Sequence, residues 1–396
     1  MIPAARAQAA IDLLDEIVRA ARDGGAAADT LIARYFKTRR YAGAKDRRAV
    51  RELVYRAIRR AGERPESGRA ALLGLAGDDP DLAALFDGSP HGPAPMNTKE
   101  PRAPAGIAPA WLLARFAESL DPAELPALLG RAPLDVRVNR LKTTREAVRA
   151  LLPDAEPTPL ARDGLRLPEG SRIETLDVWT DGSIEVQDEG SQLVTRAAPV
   201  SAGMTVIDLC AGAGGKTLAL AASMSGRAGE GRLIACDVDR GRLARLQPRA
   251  ERAGASGIEV RLLDGGREAE ALADLDGAAD VVLIDAPCSG TGTWRRNPEA
   301  RWRLDAARLA RLTGVQAKLL DLGAGLVRPG GALVYIVCSL LDEEGAGQID
   351  AFLSRHPGWT AADAIPEGRP HGAGRRLTPA HDRTDGFFVA RLRRPC

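Results

Sequence analysis

Five short apolar runs, each closed by an acid or a cysteine, set the strongest limit on how this chain can fold. They lie at 205–210 (TVIDLC), 232–237 (RLIACD), 258–263 (IEVRLL, followed by Asp264), 280–285 (DVVLID) and 332–338 (ALVYIVC). Runs of this length, bounded by Gly, Pro and Asp, predict strands buried on both faces, as in a parallel sheet. The intervening stretches have helical spacing, so each crossover predicts a helix. A late run at 386–392 (GFFVARL) adds a sixth strand. The expectation for residues 188–396 is a Rossmann-like α/β domain, a mostly parallel sheet with helices on both faces.

Upstream the pattern changes. Ile11, Leu13, Leu14, Ile17 and Val18 recur at helical spacing, and Leu31, Ile32 and Tyr35 mark a second helix. A third stripe (Ala49, Leu53, Val54, Tyr55, Ile58) follows Asp46, which predicts an N-cap there. Residues 1–75 are therefore expected to form an all-α domain. Dense Pro and Gly over 76–108 predict a linker. Residues 109–187 predict a small α/β element, with helices at 109–120 and 144–152 and strands at 135–139, 164–167 and 184–186.

The net charge is only +2, yet residues 31–60 hold eleven Lys/Arg against two acids. One-signed charge on helices favours RNA binding over a merely solvated face. Five cysteines (Cys210, Cys236, Cys288, Cys338, Cys396) form an odd, scattered set without CxxC spacing. That argues against a disulfide framework or a metal site and for reduced thiols in the cytoplasm. The first helix carries acids, unlike a signal peptide, and no run approaches a membrane span. No membrane association is expected, and the chain is expected to act as a monomer.

Chemistry belongs at the carboxyl ends of parallel strands. Asp208 opens a Gly-rich turn, Cys210-Ala211-Gly212-Ala213-Gly214-Gly215-Lys216, between strand and helix. The turn is neither a Walker A loop nor a GxGxxG fingerprint. Asp237 can accept both hydroxyls of a ribose, Asp264 can hold an adenine amino group, and Asp285 closes the next strand. A ribose and adenine site without a pyrophosphate cradle points to S-adenosylmethionine. Cys288 and Cys338 follow neighbouring strands and can share one crevice. Two such thiols suit methylation at C5 of a pyrimidine, where a thiolate adds to C6 and a base later removes the C5 proton. The thiolate needs a nearby cation, for which Lys216, a bound sulfonium and the arginines after Cys288 are available. Arg295 and Arg296, with Trp294 and Trp302 about them, are expected to face RNA. Position alone leaves open which thiol attacks.

At these residues the chain resembles the Sun/Nop family of RNA cytosine-5 methyltransferases. DAPCSGTGTWRRNPEARW is close to the family's fourth motif, and VQDEGSQL, DLCAGAGGKT, CDVDRGRL and VYIVCSLLDEEG match others in order. The likeness covers about residues 105 to 396, and residues 1–75 are similar to the NusB-like domain of bacterial members that modify 16S ribosomal RNA. The resemblance implies S-adenosylmethionine held by Cys210 to Lys216, Asp237, Arg242, Asp264 and Asp285. It further implies Cys338 as the nucleophile, Cys288 in product release, and Asp285 at the N3 side of the base, with 16S ribosomal RNA as substrate; a transfer RNA substrate, or a non-catalytic RNA-binding role in ribosome assembly, is the alternative. Two positions depart from the family pattern: Ala213 stands where Pro is usual, and Val337 where Thr is usual.

Overall fold

The computed structural model describes residues 1–224 and 231–396. The larger of two compact units comprises Ala132–Gly292 with Ala307–Cys396. Its strands are β1 (Leu134–Val138), β2 (Glu156–Pro157), β3 (Gly164–Leu167), β4 (Ile184–Val186), β5 (Thr205–Asp208), β6 (Arg232–Asp237) and β7 (Ile258–Leu262). After them come β8 (Ala279–Asp285), β9 (Val327–Val337), β10 (Thr360–Ala362), β11 (Arg369–His371), β12 (Gly374–Leu377) and β13 (Phe387–Arg393).

The main sheet runs β11-β12-β13-β9-β8-β5-β6-β7, with β10 on β13. Strands β5 to β9 are parallel neighbours. The carboxyl-terminal strand pairs antiparallel with β9, and β10 to β12 extend that edge antiparallel. These three short strands are too polar to stand out in the sequence. The continuous apolar runs serve two cores. Val282, Ile284, Leu333 and Tyr335 join one buried cluster, and Val281, Leu283, Val334 and Ile336 the other, as period-2 alternation between covered faces requires. Chain order reverses between β5 and β8, so the crevice outside their carboxyl ends is the expected ligand position.

The small antiparallel sheet, order β2-β3-β1-β4, belongs to the same unit. Glu185 on β4 pairs with Arg249 and Arg252, and Asn139 donates to the Ala253 carbonyl, so it is fastened to the helix Leu246–Ala253.

The other unit comprises Met1–Arg131 and Thr293–Ala306. Helices α1 (Pro3–Asp23), α2 (Ala28–Thr38), α3 (Ala44–Arg60) and α4 (Gly68–Ala76) share one core. Gly68 lies against α1 so closely that a Cβ there would meet the Ile11 carbonyl oxygen at 2.3 Å. Asp46 is not the N-cap of α3. It is the third helical residue, and its carboxylate accepts from Gly43 N–H at the cap.

The expected linker is folded onto this core: Leu82, Phe86 and Ala103 are buried in it, and Ala103 N–H donates to Ala70 O. Pro and Gly here serve turns between buried anchors.

The segment Thr293–Ala306 is the larger departure. Of the two arginines expected to face RNA, Arg295 is buried and Arg296 is half-buried. Trp294, Trp302, Arg295 and Arg301 are buried, and Trp294 meets Phe116 edge-on. Glu299 accepts from Ala28 N–H at the start of α2. Arg301 donates to the carbonyls of Ile58, Arg59 and Ala61 at the end of α3, and Arg303 to those of Gly25 and Ala26 after α1. Helix ends expose unpaired backbone groups, and this segment pairs them. No helix among the described residues is long and apolar enough to cross a membrane.

Candidate active site

The Gly-rich turn leaves β5 at Asp208 and enters the helix Gly215–Met224. Gly212 and Gly214 hold φ of 55° and 86°, the left-handed region that glycine tolerates. At Gly214 the space is set by packing as well: a Cβ would stand 2.1 Å from Leu246 Cδ1. A Cβ on Gly212 would crowd the Arg242 guanidinium at 3.0 Å, so Arg242 lies over the turn. Gly215 faces open space. Ala213 adds its carbonyl, which accepts from Arg249.

Asp237, at the end of β6, is buried, and its two carboxylate oxygens accept from Gly212 N–H (2.7 Å) and Asp239 N–H (2.8 Å). Each oxygen keeps a second lone pair. Leu263 N–H donates to Asp237 O, so β7 ends beside β6, and Asp264 follows as an exposed residue. This donor set fits a ribose and a base: a carboxylate tied to a glycine turn, a second acid one strand away, and backbone with open space at Gly215.

Asp285 ends β8 and forms an ion pair with Lys216, Nζ to Oδ2 2.7 Å. Burial opposes the Lys216 charge, but the Asp285 charge and hydrogen bond, with Cys338 and Asp208 nearby, hold the ammonium above its ordinary value. Asp208 is wholly buried. Its Oδ2 accepts from Thr217 Oγ1 at 2.6 Å, and its Oδ1 has no hydrogen-bond partner. Burial, with Asp285 and Asp237 adding to it, pushes Asp208 up to about 7 against the pull of Thr217 and Lys216. Burial and the same acids push the Cys210 thiol up, so it is a neutral wall of the turn.

Cys288 Sγ and Cys338 Sγ lie 3.3 Å apart. Parallel pairing brings them together: Asp285 sits opposite Ile336, and Ala286 N–H donates to Ile336 O. The chain then turns, and Gly292 N–H donates to Cys338 O. The thiols differ electrically. The Cys288 thiol is pushed well up by its hydrogen bond to Cys338, by burial, and by the charges of Cys338 and Glu344, against one backbone donor at Gly290. Cys338, in contrast, lies within the field of the Lys216 ammonium. The expected cation beside a thiol is thus Lys216. Of the arginines after Cys288, Arg295 is buried and Arg301 is spent on backbone carbonyls.

The family model described as 16S rRNA methyltransferase RsmB/F matches residues 197–393. Ribosomal RNA small subunit methyltransferase B of Salmonella arizonae is 34% identical over 292 residues, 72% of this chain and 66% of that protein. Its namesake in Yersinia pseudotuberculosis matches to the same extent. Residues 197–393 belong to this family. It spans 66% of the length of these curated relatives. A crystal structure of a methyltransferase homolog from Pyrococcus horikoshii aligns with 72% of this chain and 94% of its own, with a TM-score of 0.63 and 26% identity. The crystal structure of PH0851 covers 99% of both chains with a TM-score of 0.80 at 24% identity, a likeness of fold. The larger unit therefore has the Rossmann-like fold of methyltransferases.

Several residues around the thiols had no signal in the sequence. Ser289, Thr291 and Ser339 form a hydroxyl chain, with Ser289 Oγ to Ser339 Oγ at 3.2 Å and Thr291 Oγ1 to Ser339 Oγ at 3.0 Å. Glu344, wholly buried, accepts from Ser289 N–H and from Gln316. A buried acid in a loop has no periodicity to reveal it. Only its place in the run VYIVCSLLDEEG pointed that way.

Proposed function

We propose that the chain methylates C5 of a cytosine in 16S ribosomal RNA, with S-adenosylmethionine as methyl donor, acting as a monomer in the cytoplasm. The observation that carries this reading is the pair of thiols 3.3 Å apart beside the Lys216–Asp285 ion pair. One thiol suffices for nucleophilic addition; a second within contact distance suits a reaction that must also undo the addition.

The Gly212–Gly215 backbone, Asp237, Arg242 and Asp264 would hold the cofactor, with Asp285 at its edge. Bound S-adenosylmethionine supplies an electrophilic methyl group. Cys338, which the charge of Lys216 reaches, adds through its sulfur to C6 of the cytosine, and the C5–C6 π electrons shift towards N3. Asp285, on that side of the ring, holds Lys216 in place, and the ammonium supports the negative charge there. Once C5 carries the methyl group, a base must take its proton. Cys288 stands at Cys338 to relay it: its sulfur takes the C5 proton as its own proton passes to the Cys338 sulfur, and the S–C6 bond breaks to return the Cys338 thiol.

The basic helices are read as an RNA-binding, NusB-like domain. Three cations of the window are neutralised by acids outside it: Arg51 by Asp29, Arg56 by Asp79 and Arg60 by Asp78. Arg34, Lys37, Arg40, Lys45, Arg47 and Arg48 are exposed, and these are the side chains offered to phosphates.

Bisulfite sequencing of ribosomal and transfer RNA, from cells with and without the gene, tests the reading. One cytosine in 16S RNA that loses its protection on deletion is the expected result. Loss in transfer RNA alone would overturn the substrate, and no change in any RNA would overturn the activity.

A further inference from the structure

Both flanks of Cys288 are tied to one buried node. Gln316 Nε2 donates to Pro287 O at 2.9 Å and to Glu344 Oε1 at 3.0 Å. Ser289 N–H donates to Glu344 Oε1 at 2.8 Å, and its hydroxyl donates to Oε2 of the same carboxylate. The Glu344 backbone is anchored in turn, since Tyr335 hydroxyl, from the middle of β9, donates to its carbonyl at 2.7 Å. Glu344 is wholly buried, and the side chains that donate to its carboxylate, Ser289 and Gln316, are uncharged. A buried carboxylate without a cation is costly, and an apolar residue would fill the volume more cheaply. A function that uses the charge accounts for its presence.

We infer that Glu344 is a positioning residue for the release step: it fixes Cys288 against Cys338 and disfavours attack by Cys288, which leaves the addition to C6 to Cys338. This rests on the two-thiol reading above. The groups facing the pair divide cleanly. Glu344 lies on the Cys288 side, and its charge disfavours an anion there. Lys216, paired with Asp285, lies on the Cys338 side. Two thiols at 3.3 Å cannot both ionise, for the reason that adjacent carboxylates share one proton. A negative charge stands behind Cys288, and a positive charge stands beside Cys338. Without that bias either thiol would attack C6, and attack by Cys288 would leave no group placed to finish the reaction.

The experiment is alkylation of the full chain with iodoacetamide across pH 6 to 10, with modification at Cys288 and Cys338 quantified separately by peptide mass spectrometry. In the wild type Cys338 reacts first. Glu344→Gln keeps the volume and removes the charge, and Cys288 is expected to react on the order of tenfold faster near neutral pH, as for a downward shift of about one pH unit. Glu344→Asp, which keeps the charge, is expected to restore the wild-type order. A site preference and pH profile unchanged in a folded Glu344→Gln protein would overturn the inference. Should that variant fail to fold, Gln316→Met cuts the ties to Pro287 and to Glu344 Oε1 while leaving the Glu344 carboxyl in place. Faster alkylation at Cys288 with Cys338 unaffected then supports the inference, and an unchanged ratio overturns it. Alkylation is read on the protein alone, so the result stands whether or not the wild type methylates RNA. An inactive wild type would sink the functional reading separately.

Discussion

Asp208→Asn should flatten the acid-to-neutral stability profile of the larger unit. Asp208 is shifted from an ordinary 3.8 to about 7, because its carboxyl is wholly buried with one oxygen unpartnered and Asp285 and Asp237 close by. Between those values the folded form holds one proton more than the unfolded form. Stability from this group is therefore complete below about pH 4 and is lost as pH rises towards 7, at about 1.4 kcal/mol per pH unit. Over some three units the loss sums to roughly 4 kcal/mol. Asparagine keeps an acceptor for Thr217 Oγ1 but does not titrate, so the variant profile lacks this slope whatever its absolute stability. Hydrogen exchange of the Thr205–Asp208 amides, measured from pH 4.5 to 7.5 in both proteins, reads local stability without assuming that the two units unfold together. Parallel profiles for wild type and variant would refute the reasoning, since they would mean that Asp208 is ionised when folded.

Three further outcomes are expected. Cys338→Ala should abolish methyl transfer, while Cys288→Ala should accumulate a protein–RNA adduct that survives a denaturing gel; an active Cys338→Ala enzyme would refute the assignment of the nucleophile. Arg301→Met should destabilise the helical unit by on the order of 3 kcal/mol, because the carbonyls of Ile58, Arg59 and Ala61 lose a buried charged donor. Thermal unfolding followed through tryptophan fluorescence checks this, and a loss under about 1 kcal/mol would mean that water replaces the guanidinium. Replacing Arg40, Arg47 and Arg48 by glutamine should weaken RNA binding and make its logarithmic salt dependence shallower by about 2 units, with cofactor affinity unchanged. Equal loss of cofactor affinity would show that these helices are structural.

The parallel strands were legible because each is buried on both faces, which leaves an apolar run that no other element of that length produces. Their ends were legible for the same reason: an acid or thiol directly after such a run lies at the sheet's carboxyl edge, as Asp237, Asp285 and Cys338 do. Arg301 shows where that reasoning stops. Arginine beside tryptophan has the composition of an RNA surface, yet here the guanidinium closes the end of a helix more than two hundred residues earlier in the chain. Composition cannot separate the two, because a buried arginine that serves carbonyls and an exposed one that serves phosphates use the same donors. Glu344 was hidden differently: its partners come from separate segments, Ser289 after β8 and Gln316 on the helix Ala306–Leu326.

The two departures from the family pattern can now be judged by where their atoms lie. Val337 is wholly buried in the cluster that holds Tyr335 and Phe388, whereas Cys338 packs against the opposite one, so the two side chains point to different faces of the sheet. A threonine there would add a hydroxyl to an apolar core, not to the reacting thiol. Ala213 contributes through its carbonyl, which Arg249 holds at 2.6 Å, and a proline presents the same oxygen. Among the described residues Ala213 donates no backbone hydrogen bond that proline would remove, and its φ is not positive. The combined substitution Ala213→Pro, Val337→Thr should therefore leave kcat for methyl transfer within about threefold of the wild type, under roughly 1 kcal/mol in barrier. A tenfold change or more in kcat, with the fold intact, would show that one of these positions reaches the reacting groups through a route other than its own contacts.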